Sequence, residues 1–483
     1  MKPAILFDRD REWEELETFV QQPAPAIGLV YGRRRQGKSY LLRALATAHG
    51  GLYHQALEEE REPALARIGS LIAADAGVRG TITYPDWAAA FGELVRRAGL
   101  DRVIVLDEFP YLTAKSPELP SVIQDAFDAA RSGAGPSFRL ILCGSALSVM
   151  TGLLSGQKPL RGRVSLQALM TPFDFRQAAQ YWGITDPETA FLVNAVLGGT
   201  PGYRPLLPGA APQTPAEFET WLTEGMLKPS SALFREADYL LTEDPAITDR
   251  ALYQSVLAAI AEGHTTRTGI SGVLAREDTA LHHPLKVLES AAFIRRDEDL
   301  WRANRPVVRL ADPYLRFHFA VVRRDLARFE DRRTDEAWAD ARATFDSGVL
   351  GPHFEQMART WTRQFASDTT LGGHPSVIGS TQLNDASARS QVELDVVAVE
   401  GNPNAKRPKA LAIGEAKGGS AVRTMGDLKK LENGRALLGG RCDVEGTRLL
   451  IFSRSGFAPD LVAEAAGRAD LELVDLARLY TGS

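Results

Sequence analysis

The spacing of apolar positions changes character three times along this chain. Up to about residue 165, short apolar runs (Ile27 to Tyr31, Val103 to Leu106, Leu140 to Cys143) alternate with helical stretches. Continuous apolar runs of this length fit strands buried on both faces, and their alternation with helices predicts a parallel sheet with helices on either side. From 166 to 250 the spacing is helical, broken by Gly198-Gly199-Thr200-Pro201-Gly202 and by the proline-rich stretch Pro205 to Pro215, and it reads as a helical lid. Between 251 and 345 three apolar faces follow one another: Leu252, Val256, Leu257 and Ile260; Ile270, Val273 and Leu274; Leu281, Leu285 and Leu288. Phe293-Ile294 and Val307-Val308 then pair as a wing, which makes this segment winged-helix-like, with an arginine-rich connecting helix after it. From 346 to 483 the pattern is mixed again, opening with the helical stripe Phe354, Met357, Ala358, Trp361 and Phe365. The expected organisation is therefore α/β: a core at 1–165, a lid at 166–250, a winged-helix-like segment at 251–345 and a second α/β domain at 346–483.

Composition narrows the setting. With 44% apolar and 24% charged residues the chain is globular, and no run reaches the 18 or so apolar residues of a membrane span. The N-terminal MKPAILFDRDREWEEL turns charged after seven residues instead of forming a signal core, which predicts a cytoplasmic protein with no membrane partner. The 56 basic and 61 acidic residues leave a net charge of −5, so any contact with nucleic acid must be local. Cys143 and Cys442 are too few and too far apart for a disulfide framework or a zinc cluster. Only 11 of the 56 basic residues are lysines, which gives weight to a lysine at a motif position.

One such lysine lies in GLVYGRRRQGKSYLL. Gly32, Gly37, Lys38 and Ser39 satisfy G-x-x-x-x-G-K-[ST] between a predicted strand and a helix carrying Leu41, Leu42 and Leu45. A phosphate chain needs converging backbone N–H groups and the positive end of a helix; a glycine-rich loop running into a helix start supplies both. In this P-loop reading the stretch Arg33, Arg34, Arg35, Gln36 to Tyr40 wraps ATP, Lys38 reaches the β- and γ-phosphates, and the Ser39 hydroxyl ligates Mg²⁺. The run RVIVLDEFPYL places Asp107 and Glu108 at the end of a buried strand, Asp107 to hold Mg²⁺ and Glu108 to polarise the attacking water. Ser145, at the end of the next strand, is positioned to sense the γ-phosphate.

The runs FDRDREWEELE, GRRRQGKS, LDEFPYL, LILCGSALSVM, PLRGR, MTPFDFRQA and LGGTPGY, in this order, resemble the archaeal-type ATPases of the STAND class, relatives of the AAA+ ATPases. The resemblance covers most of the first 320 residues, including ADPYLRFHF. It implies an ATPase core with an additional strand, Asp8 and Arg9 beside the nucleotide's base, and Arg161 or Arg163 as an arginine that meets the γ-phosphate. That arginine acts from the same subunit or from a neighbour in a homo-oligomer. Gln36 and Ser39 stand where the family often has Val and Thr, and neither change removes a phosphate contact.

A second constellation follows at 355–417. VELDVVAVE and ALAIGEAKGG read as a hairpin, and residues two apart on a strand share a face, so Glu393 joins Asp395 and Glu415 joins Lys417. Carboxylates converging with one lysine suit metal-dependent phosphodiester cleavage. The order Glu355, Asp395, Glu415-x-Lys417, then a helix and the strand TRLLIFSR, resembles the PD-(D/E)xK restriction-endonuclease-like domain. The resemblance implies a second divalent metal on Asp395 and Glu415, with Glu355 direct or adjacent. The helix EDTALHHPLKVLE sets Lys286, His282 and His283 against Glu277, Asp278 and Glu289, which favours interdomain packing over DNA reading; Arg295 and Arg296 of the wing are the better DNA contacts. Two functions follow: an ATP-driven switch or motor coupled to a nuclease-like domain acting on DNA, or a non-nucleolytic ATP-dependent regulator that binds DNA or a protein through the winged helix.

Overall fold

The computed structural model describes residues 2–302, 306–386 and 388–483. Five strands, β1 (Ala26–Tyr31), β2 (Leu52–Gln55), β3 (Val103–Asp107), β4 (Arg139–Gly144) and β5 (Val164–Leu169), form one parallel sheet in the order β2-β3-β4-β1-β5. The first apolar runs are its centre: β3 is buried at every residue, and β1 and β4 at all but one. Two apolar layers cover it, one headed by Trp87, Phe91 and Phe138 and the other by Trp13, Phe19 and Leu45. β5 crosses the expected boundary at 165, so the sheet extends into the segment read as lid. β2 and β5 lack a continuous apolar run, and only β1, β3 and β4 stand out in the sequence.

Because β4 lies between β1 and β3, the carboxyl ends of these three strands adjoin, and ligands of such sheets bind in the crevice beyond those ends. After β5 the chain is helical. The helix Pro187–Leu197 is buried from Thr189 through Leu197, so it is a hub rather than a surface helix. Helices Arg250–Ala261, Arg267–Leu274 and His282–Ser290 precede an antiparallel pair, β6 (Ile294–Asp297) and β7 (Val307–Leu310), called the wing below. The arginine-rich stretch after it is not one helix but a series of short turns, Leu326–Glu330 and Thr334–Thr344 being its α-helical parts.

The C-terminal sheet has the order β12-β11-β10-β9-β8, from β8 (Val377–Asp385), β9 (Ser390–Glu400), β10 (Lys409–Lys417), β11 (Arg448–Ser453) and β12 (Leu471–Asp475). The predicted hairpin is the antiparallel pair β9 and β10; β10, β11 and β12 run parallel. The helix Gly351–Gln364 packs Phe354, Met357 and Trp361 on one face of this sheet, inside an apolar cluster that also holds Phe191 of the hub and Tyr314. The wing is taken up by this domain. Leu300 N donates to Ser380 O (3.1 Å), and the Asp299 carboxylate accepts from Thr381 Oγ1 (3.0 Å) and Gln382 N (2.9 Å) at the edge strand β8. Cys143 and Cys442 are buried free thiols, and among the described residues no helix is long and apolar enough to cross a membrane.

Candidate functional site

A cavity of about 890 Å³ opens over the carboxyl ends of β1, β3 and β4. Arg34, Arg35, Gln36, Gly37, Lys38, Ser39 and Tyr40 line one side, Glu108 and Ser145 the floor, and Ile5, Phe7, Arg9, Phe173 and Tyr181 the far wall. A cleft of this volume accommodates a nucleoside triphosphate. The loop backbone is tightly held. A Cβ on Gly32 would stand 2.4 Å from Met170 O, so only glycine lets the loop leave β1 against the segment after β5. Lys38, 4% exposed, donates to Gly32 O (2.7 Å) and Arg33 O (2.9 Å), which keeps its ammonium within the loop.

Arg9 secures the other side. It donates to Gln36 O (3.2 Å) and Thr171 O (2.9 Å) and lies 4.5 Å over the Phe173 ring. Phe7, Phe173 and Tyr181 pack with centroids 5.3–5.5 Å apart, an apolar wall of the kind a nucleobase uses. Asp8, Gly32 and Arg33 do not line the cavity.

At the floor, Asp107 is fully buried, its carboxylate accepting from Tyr53 Oη (2.5 Å) and Glu108 N (3.0 Å). Burial pushes the Tyr53 hydroxyl up, so it stays a donor. Glu108 has a left-handed backbone, φ 52°, which aims its carboxylate across the strand ends. Its Oε2 accepts from Ser145 Oγ (3.1 Å) and Ser145 N (3.3 Å), so Ser145 orients the acid from β4. Of the two oxygen groups expected to meet Mg²⁺, Ser39 lines the cavity, while Asp107 lies beneath its floor and is not part of the lining. Arg161 and Arg163 stand elsewhere: Arg163 pairs with Asp128 (2.6 Å), Arg161 donates to Gly156 O (2.5 Å), and neither lines the cleft.

Sequence reasoning missed the partners of the three loop arginines. Arg33 pairs with Asp312 (2.7 Å), Arg34 with Glu243 (2.5 Å), and Arg35 with Glu236 through Nε (2.5 Å) and Nη2 (2.8 Å). Burial raises the Glu243 carboxyl, against the pull of Arg34. Gly202 N also donates to Arg35 O (3.0 Å), and a Cβ there would meet Arg35 Cβ at 2.5 Å. The one available signal was three consecutive arginines in a loop, which demand counter-charge without naming it.

In the C-terminal sheet Lys417 Nζ lies 2.9 Å from Glu415 Oε1 and 3.7 Å from Asp395 Oδ2, so the hairpin brings these three together. Asp395 also accepts from Ala416 N (2.8 Å). Its carboxyl is raised by burial against the pull of Lys417. At the lysine, itself opposed by burial, attraction to Asp395 and Glu415 wins and the ammonium is held above its ordinary range. Glu355 is pushed up to about 7 by burial first and Asp395 second, with Arg309 and Arg359 opposing. Of the residues expected to hold a metal, Asp395 and Glu415 share the lysine, and Glu355 stands close enough to Asp395 for its carboxyl to be raised by it. Among the described residues no three His, Cys, Asp or Glu side chains are grouped to hold a metal.

Residues 6–186 match a family described as an ATPase domain predominantly from Archaea. The protein MJECL04 of Methanocaldococcus jannaschii is 25% identical over 361 residues, 74% of this chain and 76% of that one. Among solved structures, the Walker-type ATPase PABY2304 of Pyrococcus abyssi aligns with 65% of this chain and 96% of its own, at 20% identity and a TM-score of 0.49. The Aeropyrum pernix ORC2 protein in its ADPNP-ADP complexes aligns with 71% and 97%, at 15% identity and a TM-score of 0.43.

Proposed function

We propose that this chain is an Mg²⁺-dependent ATP-hydrolysing switch whose nucleotide state is passed to the lid, the winged-helix-like segment and a nuclease-like C-terminal domain that engages DNA. The observation that carries the reading is the set of three consecutive phosphate-loop arginines, each ion-paired to a carboxylate outside the parallel sheet. Lys38 supplies the cation for the β- and γ-phosphates, and Glu108, oriented by Ser145, polarises the attacking water. Ser39 and Asp107 are the residues to hold Mg²⁺, whose chemistry there is neutralisation of phosphate charge. A γ-phosphate draws on the same guanidinium that Glu243 holds at the rim of the cleft, so binding and loss of that phosphate alter the grip on the lid. Arg161 and Arg163 lie outside this chain's cleft, so a γ-phosphate contact from either belongs to a neighbouring copy in a homo-oligomer.

A second reading, an ATP-dependent regulator that does not cleave, draws on Lys417 pairing with both Asp395 and Glu415. Incubating the purified protein with plasmid, linear or single-stranded DNA and Mg²⁺ or Mn²⁺, with and without ATP, separates the two. Cleavage lost in Asp395→Ala and Lys417→Ala supports the first reading; ATP turnover without cleavage under any of these conditions supports the second. Absence of ATP turnover removes both.

A further inference from the structure

Between the wing and the C-terminal domain lies a cavity of about 300 Å³ that the ATP site does not use. Arg295 and Arg296 of β6 line one side; Arg359, Thr360 and Arg363 of the helix Gly351–Gln364 line another, with Ser380 of β8 closing it. Its walls are stitched together by the Asp299 and Leu300 hydrogen bonds to β8. Four guanidiniums face this space against two carboxylates, Asp297 and Glu298.

The excess of positive charge continues behind the wall. Arg295 and Arg309 are cross-strand partners, an arrangement that like charges disfavour, and both lie against Asp297, Arg295 donating to it at 2.9 Å and Arg309 at an ion-pair distance of 3.2 Å. Arg316, 4% exposed, reaches only Leu310 O and Gln356 Oε1, both at 3.3 Å, and its Nη1 has no partner. Arg359 donates through Nη1 to Asp395 O (3.1 Å) while its buried Nη2 has none. Burial first, and then Arg295 and Arg309, push the Arg316 guanidinium down to about 9. Arg296 is met by Glu289 (2.7 Å) and Arg309 approaches Glu355 (3.9 Å). The buried donors Arg309 Nε, Arg316 Nη1 and Arg359 Nη2 have no hydrogen-bond partner, and unmet buried donors gathered at one junction are costly unless an acceptor joins them.

We infer that this cavity binds an oxyanion of the phosphate class, either a phosphodiester of a nucleic-acid strand or free phosphate. Guanidinium forks on opposing walls match the several oxygens of a tetrahedral anion, and the Thr360 and Ser380 hydroxyls add neutral donors. The volume is at the small end of ligand pockets and suits a phosphate with its sugar rather than a larger ligand. The inference goes beyond the ATP reading and does not require that Asp395, Glu415 and Lys417 cleave anything.

The test uses the full chain carrying Lys38→Ala, so that the phosphate loop does not take up the probes. Inorganic phosphate is titrated by calorimetry, and fluorescein-labelled duplex and single-stranded DNA by anisotropy, with and without the added pair Arg296→Ala and Arg363→Ala. Both added substitutions fall on partly exposed side chains, and thermal unfolding verifies the fold; Arg363→Ala alone is the fallback if the pair unfolds. A tenfold or greater loss for DNA, with a salt slope reduced by about two, identifies a strand as the source. A similar loss for phosphate with DNA unchanged identifies the free anion. Undiminished affinity for both probes, or binding of neither by the protein with the arginines intact, overturns the proposal.

Discussion

In the function proposed above, hydrolysis rests on the aim of one side chain, Glu108, held by Ser145. The acid sits on a left-handed residue and is tied to β4 through Ser145 Oγ and N. Glu108→Gln keeps the shape but loses the charge that polarises water, so ATP affinity should hold while turnover falls by about 10²-fold or more, read by nucleotide titration and phosphate release. Ser145→Ala, which removes one of two donors to Glu108, should lower turnover more mildly. Lys38→Ala should instead lose affinity, since it removes the cation held inside the loop. These residues were legible in the sequence because a phosphate loop and a strand-end acid pair are local patterns. Glu236, Glu243 and Asp312 were not, since each meets its arginine across 201 to 279 residues of chain. His54 adds a pH dependence. Burial, the largest influence, pushes it down to about 4, so as pH falls below about 6.5 the unfolded chain takes up a proton that the folded one refuses. Stability is full above that range and declines toward pH 4, by about 3 kcal/mol from this residue. Urea midpoints at pH 7.5 and 5.0 should differ less in His54→Leu than in the parent.

At the level of elements, the strap Thr200-Pro201-Gly202 does for the loop what no loop residue does for itself. Its one contact of consequence, Gly202 against Arg35, leaves no room for a methyl group. Gly202→Ala should therefore displace the loop and weaken ATP binding about tenfold while the unfolding temperature moves little; unchanged affinity would show that the strap merely touches the loop. In the sequence this strap stood out as a break in helical spacing and as part of the run LGGTPGY that carries the family resemblance, but neither signal named Arg35 as its partner, because close approach of two backbones leaves no periodic trace. The C-terminal hairpin was readable from two apolar runs separated by the turn-rich stretch Gly401 to Lys409. β8 was not: VIGSTQLND is an edge strand with few buried residues, and edges carry the weakest hydrophobic pattern. β12 escaped because five residues are too few to show a period.

Across the whole molecule, the arginine pairs join the parallel sheet to the lid and the wing, and the hub helix joins both to the C-terminal domain. Asn194 of the hub meets His353 Nε2 (2.9 Å), and Glu188 meets Arg454 Nη2 (2.5 Å). Each boundary between predicted segments is thus bridged by charge or by a shared apolar cluster. A double-mutant cycle on Arg35 and Glu236, with Ala and Gln, should return a coupling of about 1–3 kcal/mol in unfolding free energy, because the acid is almost fully buried. In Glu236→Gln with Asp312→Asn, protease cleavage patterns taken with ADP and with a non-hydrolysable ATP analogue should converge, although both nucleotides still bind. Persisting differences would place the relay elsewhere.

The wing that hydrogen-bonds to β8 also fixes what can be cut from this chain. A fragment beginning near 346 would carry the C-terminal sheet with β8 stripped of Leu300 and Asp299, and with Phe354 and Trp361 deprived of the hub side of their apolar cluster. Open strand edges and bared aromatic faces are templates for self-association. Such a fragment should express as aggregates, and a cut that starts at 187 and retains hub and wing together should give the smaller soluble piece.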